Sequence, residues 1–263
     1  MTIPTYTLVV AVDARHLRQL SWTWPTWRRH KPGLLGVPMI VFYDWSQVTE
    51  AQVRMVVDRP YLKCVPWPPV QWEIDWGAGT CKWDDPQRAK MLAGFTYVPA
   101  INVNTPYWLK LDCDTVAMGN DDWIDPEWFK NEPAIISHKW SFTRPADQFV
   151  TLDWWAEERK IYFERPPLNM VPLPGAERIG HKRIISFVGF FRTDFTVKVC
   201  NLCKFHCLAW RTPVPSQDGI CWYLAQRMGE AVVRVNMKSV GWQQWSNDGN
   251  VRKYATLAME SHR

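Results

Sequence analysis

No stretch of this chain approaches the ~20 consecutive apolar residues that a membrane helix needs, so no helical span is expected. Met1-Thr2-Ile3-Pro4 has no basic segment followed by an apolar stretch, so no signal peptide is expected either. No basic block stands out. The formal charge of +5 is scattered along the chain, which permits an anionic ligand such as a nucleotide without requiring nucleic acid. Glycine is missing from residues 11–20 (AVDARHLRQL), where a nucleotidyltransferase would place a phosphate-binding loop after its first strand. A disulfide framework is missing too. Seven irregularly spaced Cys read as reduced thiols, with a cytoplasmic location as the expectation. Cys200, Cys203, His206 and Cys207 lack the two separated pairs of a zinc site, and 200, 203 and 207 share one helix stripe, the pattern of a core face.

What the chain does have is an apolar fraction of 47% over 263 residues, enough for the core of one large domain or of one domain with an insertion. Tyr6 to Val12 (YTLVVAV) is a continuous Val-rich run typical of a buried strand, and Asp13 closes it. Residues 14–30 set Leu17, Leu20, Trp24 and Trp27 at helical spacing, with Pro25 expected to bend or split the helix. A second strand, Pro38 to Tyr43, ends at Asp44-Trp45-Ser46. A helix from Gln47 to Val57 should follow with Ser46 as its N-cap, then a third strand from Tyr61 to Val65. This β–α–β–α–β opening predicts a parallel sheet. Residues 66–85 are loop-like, and a helix from about Asp84 to Val98 carries Arg88 and Lys90. Trp123 to Phe129 reads as a short helix or turn. Further strands are expected at Pro133 to His138, Ile184 to Phe191 and Val232 to Asn236, and helices at Thr196 to Trp210 and Ile220 to Met228. Residues 141–180 are Pro-rich and irregular apart from a helical piece, Gln148 to Lys160; so long a segment is usually functional or mobile. The tail 238–263 shows no period.

The chemistry concentrates in Trp108-Leu109-Lys110-Leu111-Asp112-Cys113-Asp114-Thr115, an apolar strand that ends in two carboxylates one residue apart. Side chains alternate along a strand, so Asp112 and Asp114 can point the same way. Two hard oxygen ligands suit Mg²⁺ or Mn²⁺, ions that usually share a phosphate-bearing substrate. The competing reading is a plain turn after a strand. Arg88 and Lys90 are placed to balance a pyrophosphate, or else to cover a solvated helix face. Asp218, with Ser216 before it as N-cap, sits in the first turn of a late helix, either as a capping acid or as a base facing a cleft. The 18 Trp offer flat faces suited to sugar rings or bases. Trp140, Trp154 and Trp155, in or beside the irregular segment, are the candidate acceptor wall.

This order of parts resembles the GT-A fold nucleotide-sugar glycosyltransferases over roughly residues 5–236. Leu-Asp-Cys-Asp at 111–114 looks like their DxD motif. Tyr-Asp-Trp-Ser at 43–46 is similar to their element after the second strand, with one acid where the family has two. Gln-Asp-Gly at 217–219 looks like their late Glu-Asp motif, with Gln217 in place of the usual Glu. The resemblance implies a GT-A-like, Rossmann-like α/β fold. Its mostly parallel central sheet would be flanked by helices in a single domain over 1–263, with residues 1–115 binding the nucleotide-sugar and 116–263 the acceptor. It implies a hexosyltransferase that uses Mn²⁺ or Mg²⁺ and a nucleotide-sugar, a UDP-sugar being favoured. Asp114 would be the main metal ligand, with Asp112 shared between metal and ribose or sugar. Asp13, Asp44 and Ser46 would contact the nucleoside, and Arg88 and Lys90 the phosphates or sugar. Asp218 would be the general base of an inverting reaction, with Gln217 on the acceptor side. The acceptor is a glycan, a protein or a modified nucleic acid base. Two other readings stand beside it: a nucleotidyltransferase, and a non-enzymatic Trp-rich carbohydrate-binding protein.

Overall fold

Strand β1 (Tyr6–Val12) runs through the middle of the molecule because its residues are apolar toward both faces. Val9 and Ala11 enter one core cluster, while Leu8, Val10 and Val12 enter another on the opposite side. A computed structural model describes residues 2–67, 86–119, 123–142, 153, 156–157, 160–166, 182–206, 217–235, 242–244 and 247–261. At 86–93, 138–142, 182–187, 203–206, 217–220 and 242–244 the description is of the backbone.

Parallel to β1 lie β2 (Met39–Tyr43) on one side and β4 (Tyr107–Leu111) on the other, with β3 (Leu62–Pro66) parallel to β2. Beyond β4 comes β7 (Lys182–Arg192), antiparallel to β4 and to β6 (Ile135–Phe142), and β8 (Val232–Arg234) pairs parallel with β6. The seven-stranded order is β3-β2-β1-β4-β7-β6-β8, and β7 alone runs against the rest. The fold is therefore α/β, with a mostly parallel mixed sheet flanked by helices. One face is covered by α3 (Pro86–Asn102), α4 (Thr193–His206) and α5 (Gln217–Arg227), through Phe95, Val98, Phe195, Val199 and Cys221 to Ala225. The other is covered by α1 (Ala14–His30) and α2 (Glu50–Val56), through Leu17, Leu20, Trp24, Trp27 and Val53. Helix α3 lies so close to β2 that a Cβ on Gly94 would stand 2.5 Å from the Phe42 ring. Only glycine lets the backbone approach that far.

Local expectations failed at four places, each for a traceable reason. Pro25 does not split α1, which continues from Ala14 to His30. Its missing N–H costs one hydrogen bond, and the burial of Trp24 and Trp27 outweighs that loss. Helix α3 likewise continues past Val98, with Pro99 inside it, to Asn102. Ser46 is not the cap of α2: Thr49 is, in a reciprocal capping box with Gln52. The tail is not featureless. It forms β9 (Trp242–Gln244), antiparallel to β5 (Thr115–Ala117), and α6 (Asp248–Glu260), capped by Asn247. Val251, Ala255 and Ala258 bury one face of α6, at i, i+4 and i+7. That spacing was present in the sequence, but small Ala residues make a faint signal. The expected Ser216 cap and most of 141–180 lie outside the described residues.

Candidate active site at the carboxyl edge of the sheet

The chain lays down β1, β2 and β3 stepwise outward, then returns to the far side of β1 to form β4. Ligands of open α/β sheets sit outside the strand carboxyl ends at such a reversal of order. Asp13 follows β1, Asp44 follows β2, and Asp112 to Asp114 follow β4. Register pairs Val12 with Tyr43 and Val9 with Lys110, so all three acidic ends emerge at one edge.

The Asp112–Thr115 turn is held from beneath. Thr115 donates to the Asp112 carbonyl through both its N–H (3.2 Å) and its hydroxyl (2.6 Å). From α1, the Thr23 hydroxyl donates to the Cys113 carbonyl at 2.8 Å and the Trp27 indole to the Thr115 carbonyl at 2.9 Å, while Thr26 accepts from the Ala117 N–H. Cys113 turns inward and its thiol donates to the Ala11 carbonyl at 3.2 Å. Burial, together with the charges of Asp112, Asp114 and Asp13, pushes that thiol well above its ordinary value. The thiol therefore stays protonated, bound to the Ala11 carbonyl, and Cys113 is no soft metal ligand.

Asp13 caps α1. Its Oδ1 accepts from the His16 N–H at 2.8 Å and lies 2.7 Å from His16 Nδ1. Burial opposes ionisation of Asp13, but the His16 hydrogen bonds and charge outweigh it and hold the carboxyl below 3.8. Asp44 is 3% exposed and closes its own turn: Oδ1 accepts from the Ser46 N–H and hydroxyl, and Oδ2 from the Gln47 amide. Asp44 and Ser46 thus hold each other.

The remaining candidates reach this edge through their helices. Arg192 at the end of β7 pairs with Tyr107 at the start of β4, and its guanidinium bonds Glu230, so the α5–β8 connection lies at the amino edge. Helix α5 consequently starts toward the carboxyl edge, about 16 Å away at 1.5 Å per residue, with Gln217 and Asp218 in its first turn. By the same argument α3 ends at the amino edge before β4 and begins, with Arg88 and Lys90, toward the acids. Trp140 lies in the later part of β6, opposite Ile184. For Arg88, Lys90, Trp140, Gln217 and Asp218 these are backbone placements; Trp154 and Trp155 lie outside the described residues. A separate cavity of about 950 Å³, lined by Tyr107, Phe129, Arg192 and Asp194, opens at the amino edge and holds none of these residues.

Among the described residues no group of three His, Cys, Asp or Glu is arranged to hold a metal. The donors at the turn are two partly exposed carboxylates with the sulfur facing away. That set fits Mg²⁺ or Mn²⁺ completed by phosphate oxygens and water, and does not fit zinc. Cys200 is buried on α4, as the helix stripe implied, and is in no disulfide. Sequence reasoning passed over Lys110. It is 3% exposed, its ammonium stands 3.3 Å from Asp112 Oδ1 and 5.0 Å from the centroid of the Phe95 ring. A lysine inside an apolar strand, two residues from an acid on the same face, was the available signal.

No protein-family model matches the chain, and no curated protein is similar to it in sequence. Its shape does match solved structures. Core-mannan synthase A (CmsA/Ktr4) from Aspergillus fumigatus, solved in a Mn/GDP form, superposes with a TM-score of 0.63 at 13% identity over 92% of this chain and 75% of that one. The mannosyltransferase Ktr4p from S. cerevisiae gives 0.61 at 10% identity over 92% and 70%. The galactosyltransferase LgtC, in complex with donor and acceptor sugar analogs, gives 0.56 at 11% identity over 96% of each chain. The chain has the GT-A-like fold of these glycosyltransferases.

Proposed function

We propose that this protein is a metal-dependent glycosyltransferase that moves a sugar from a nucleotide-sugar to an acceptor hydroxyl. The observation that carries the reading is the Asp112–Asp114 turn at the carboxyl edge of the sheet, the edge toward which α3 and α5 begin. The Mn/GDP form of core-mannan synthase A supports a divalent cation beside a nucleoside diphosphate. Asp112 and Asp114 would hold Mn²⁺ or Mg²⁺, which when bound offsets the charge growing on the leaving diphosphate. Arg88 and Lys90, near the start of α3, add positive charge on the phosphate side. Asp13, Asp44 and Ser46 shape the nucleoside side, through the α1 cap and the turn after β2. Asp218 takes the proton from the acceptor hydroxyl, a role typically worth 10²–10⁴-fold, and configuration inverts. Residues 1–115 serve the donor and 116–263 the acceptor, with Trp140, Trp154, Trp155 and Gln217 lining the acceptor side. The acceptor class ranges over glycan, protein and modified nucleic acid base.

The test is a thermal-shift and hydrolysis screen of UDP-, GDP-, CMP- and dTDP-sugars, with Mn²⁺ and with EDTA. One sugar nucleotide should stabilise the native protein only with metal, by about 2.7 kcal/mol at a hundred times its Kd, and Asp114→Asn should abolish the shift. Release of nucleoside diphosphate supports sugar transfer; release of pyrophosphate points to nucleotidyl transfer. A full screen with no metal-dependent shift would sink the proposal.

A further inference from the structure

We propose that Lys110 is a positioning residue that makes metal and nucleotide binding at the acidic turn depend on each other. The inference rests on the reading of Asp112 and Asp114 as cation ligands. Along β4, Trp108 and Lys110 face α3, and Asp112 continues that side. The Lys110 side chain is buried, with its ammonium 3.3 Å from Asp112 Oδ1 and over the Phe95 ring at 5.0 Å. A buried ammonium is held only where a carboxylate and polarisable surroundings compensate for its lost water. A cation fixed at one oxygen of Asp112 does two things. It sets the orientation of that carboxylate. It also cancels half of the charge that two carboxylates would offer to an incoming divalent ion.

With part of its negative charge offset by Lys110, the turn is a poorer site for a bare hard cation. A nucleoside diphosphate supplies both the missing charge and further hard oxygens. The cation should therefore be taken up efficiently only together with the diphosphate, and by linkage each raises the other's affinity by the same factor. A carboxylate pair without such a counter-ion would load metal first and nucleotide second.

The experiment titrates Mn²⁺ into wild type and Lys110→Met by calorimetry and by the Mn²⁺ electron paramagnetic resonance signal, alone and with saturating GDP or UDP. Methionine keeps the length and packing of the side chain without its charge. Wild type should bind Mn²⁺ alone weakly and at least about tenfold more tightly with the nucleotide. Lys110→Met should bind Mn²⁺ alone roughly tenfold more tightly than wild type, with a smaller gain from nucleotide, and Lys110→Arg should keep the wild-type coupling. A folded Lys110→Met with unchanged or weaker affinity for Mn²⁺ alone overturns the inference while leaving the metal site standing. So does a wild type that binds Mn²⁺ equally well with and without nucleotide, a result that needs no variant to fold. If no protein binds Mn²⁺ under any of these conditions, the metal reading itself is overturned.

Discussion

At the residue scale the acidic turn depends on side chains buried beneath it. Thr23 is 1% exposed and donates both to Gln19 within its own helix and to the Cys113 carbonyl across the interface. Valine would keep the shape and remove the donor, leaving the buried Cys113 carbonyl unsatisfied. Thr23→Val should cost about 1–2 kcal/mol in a urea melt and weaken Mn²⁺–nucleotide binding, because the turn loses one of its fixed points. A melt indistinguishable from wild type would mean that the turn holds itself. Cys113 shows the same division of labour, with its thiol spent on β1 and both neighbours left at the edge.

At the element scale, the tail matters most. Helix α6 lies along α1 and is tied to it at one acid: Asp248 accepts from Arg15, Arg18 and Gln19 at 3.2, 2.6 and 2.7 Å. Those hydrogen bonds, that of Arg18 foremost, hold the Asp248 carboxyl below 3.8. A carboxyl whose folded value is depressed stabilises the protein above its unfolded value, and the contribution is lost as pH falls through the folded value. The arginines are more than half exposed, so Asp248→Asn should cost only about 0.5–1 kcal/mol near neutrality. The gap to wild type should narrow as the pH falls through the depressed folded value, where the aspartate too becomes protonated. Urea melts at pH 7, 5 and 3 read this directly, and a gap as wide at pH 3 as at pH 7 would reject it.

For the molecule as a whole, Asp153 and Arg165 are joined to α5 by one buried polar node. The Arg227 guanidinium bonds Asp153 and the Tyr223 hydroxyl, Tyr223 donates to Asp153 at 2.8 Å, and Arg227 Nε donates to the Arg165 carbonyl at 3.1 Å. The Phe163 ring lies 4.4 Å from that guanidinium. Asp153, Phe163 and Arg165 are thereby anchored to α5, the helix that starts with Gln217 and Asp218. Asp153→Ala leaves a buried cation without its partner and should cost about 3–5 kcal/mol. Replacing the pair together, Asp153→Leu with Arg227→Met, should cost much less, because an apolar pair has no charge to desolvate. Denaturant melts of the two variants separate these outcomes. Equal losses would show that the node contributes only packing.

Much of this architecture was legible in the chain. The runs Tyr6 to Val12 and Tyr107 to Leu111 are strands with the bounds their apolar pattern predicts, and an acidic pair at a strand end marked the turn correctly. Those signals are local: a period of two, a run of β-branched residues, a carboxylate where a strand cannot continue. The start of α5 at Gln217 was legible for the same reason. Other features were decided only when distant segments met. The reversal of β7 between β4 and β6, the capture of the tail as β9 beside β5, and the burial of Lys110 against Phe95 and Asp112 all depend on neighbours. Local pattern says which face of a strand is apolar, but not which strand lies beside it. A lysine reads as solvent-exposed until the helix that covers it is in place.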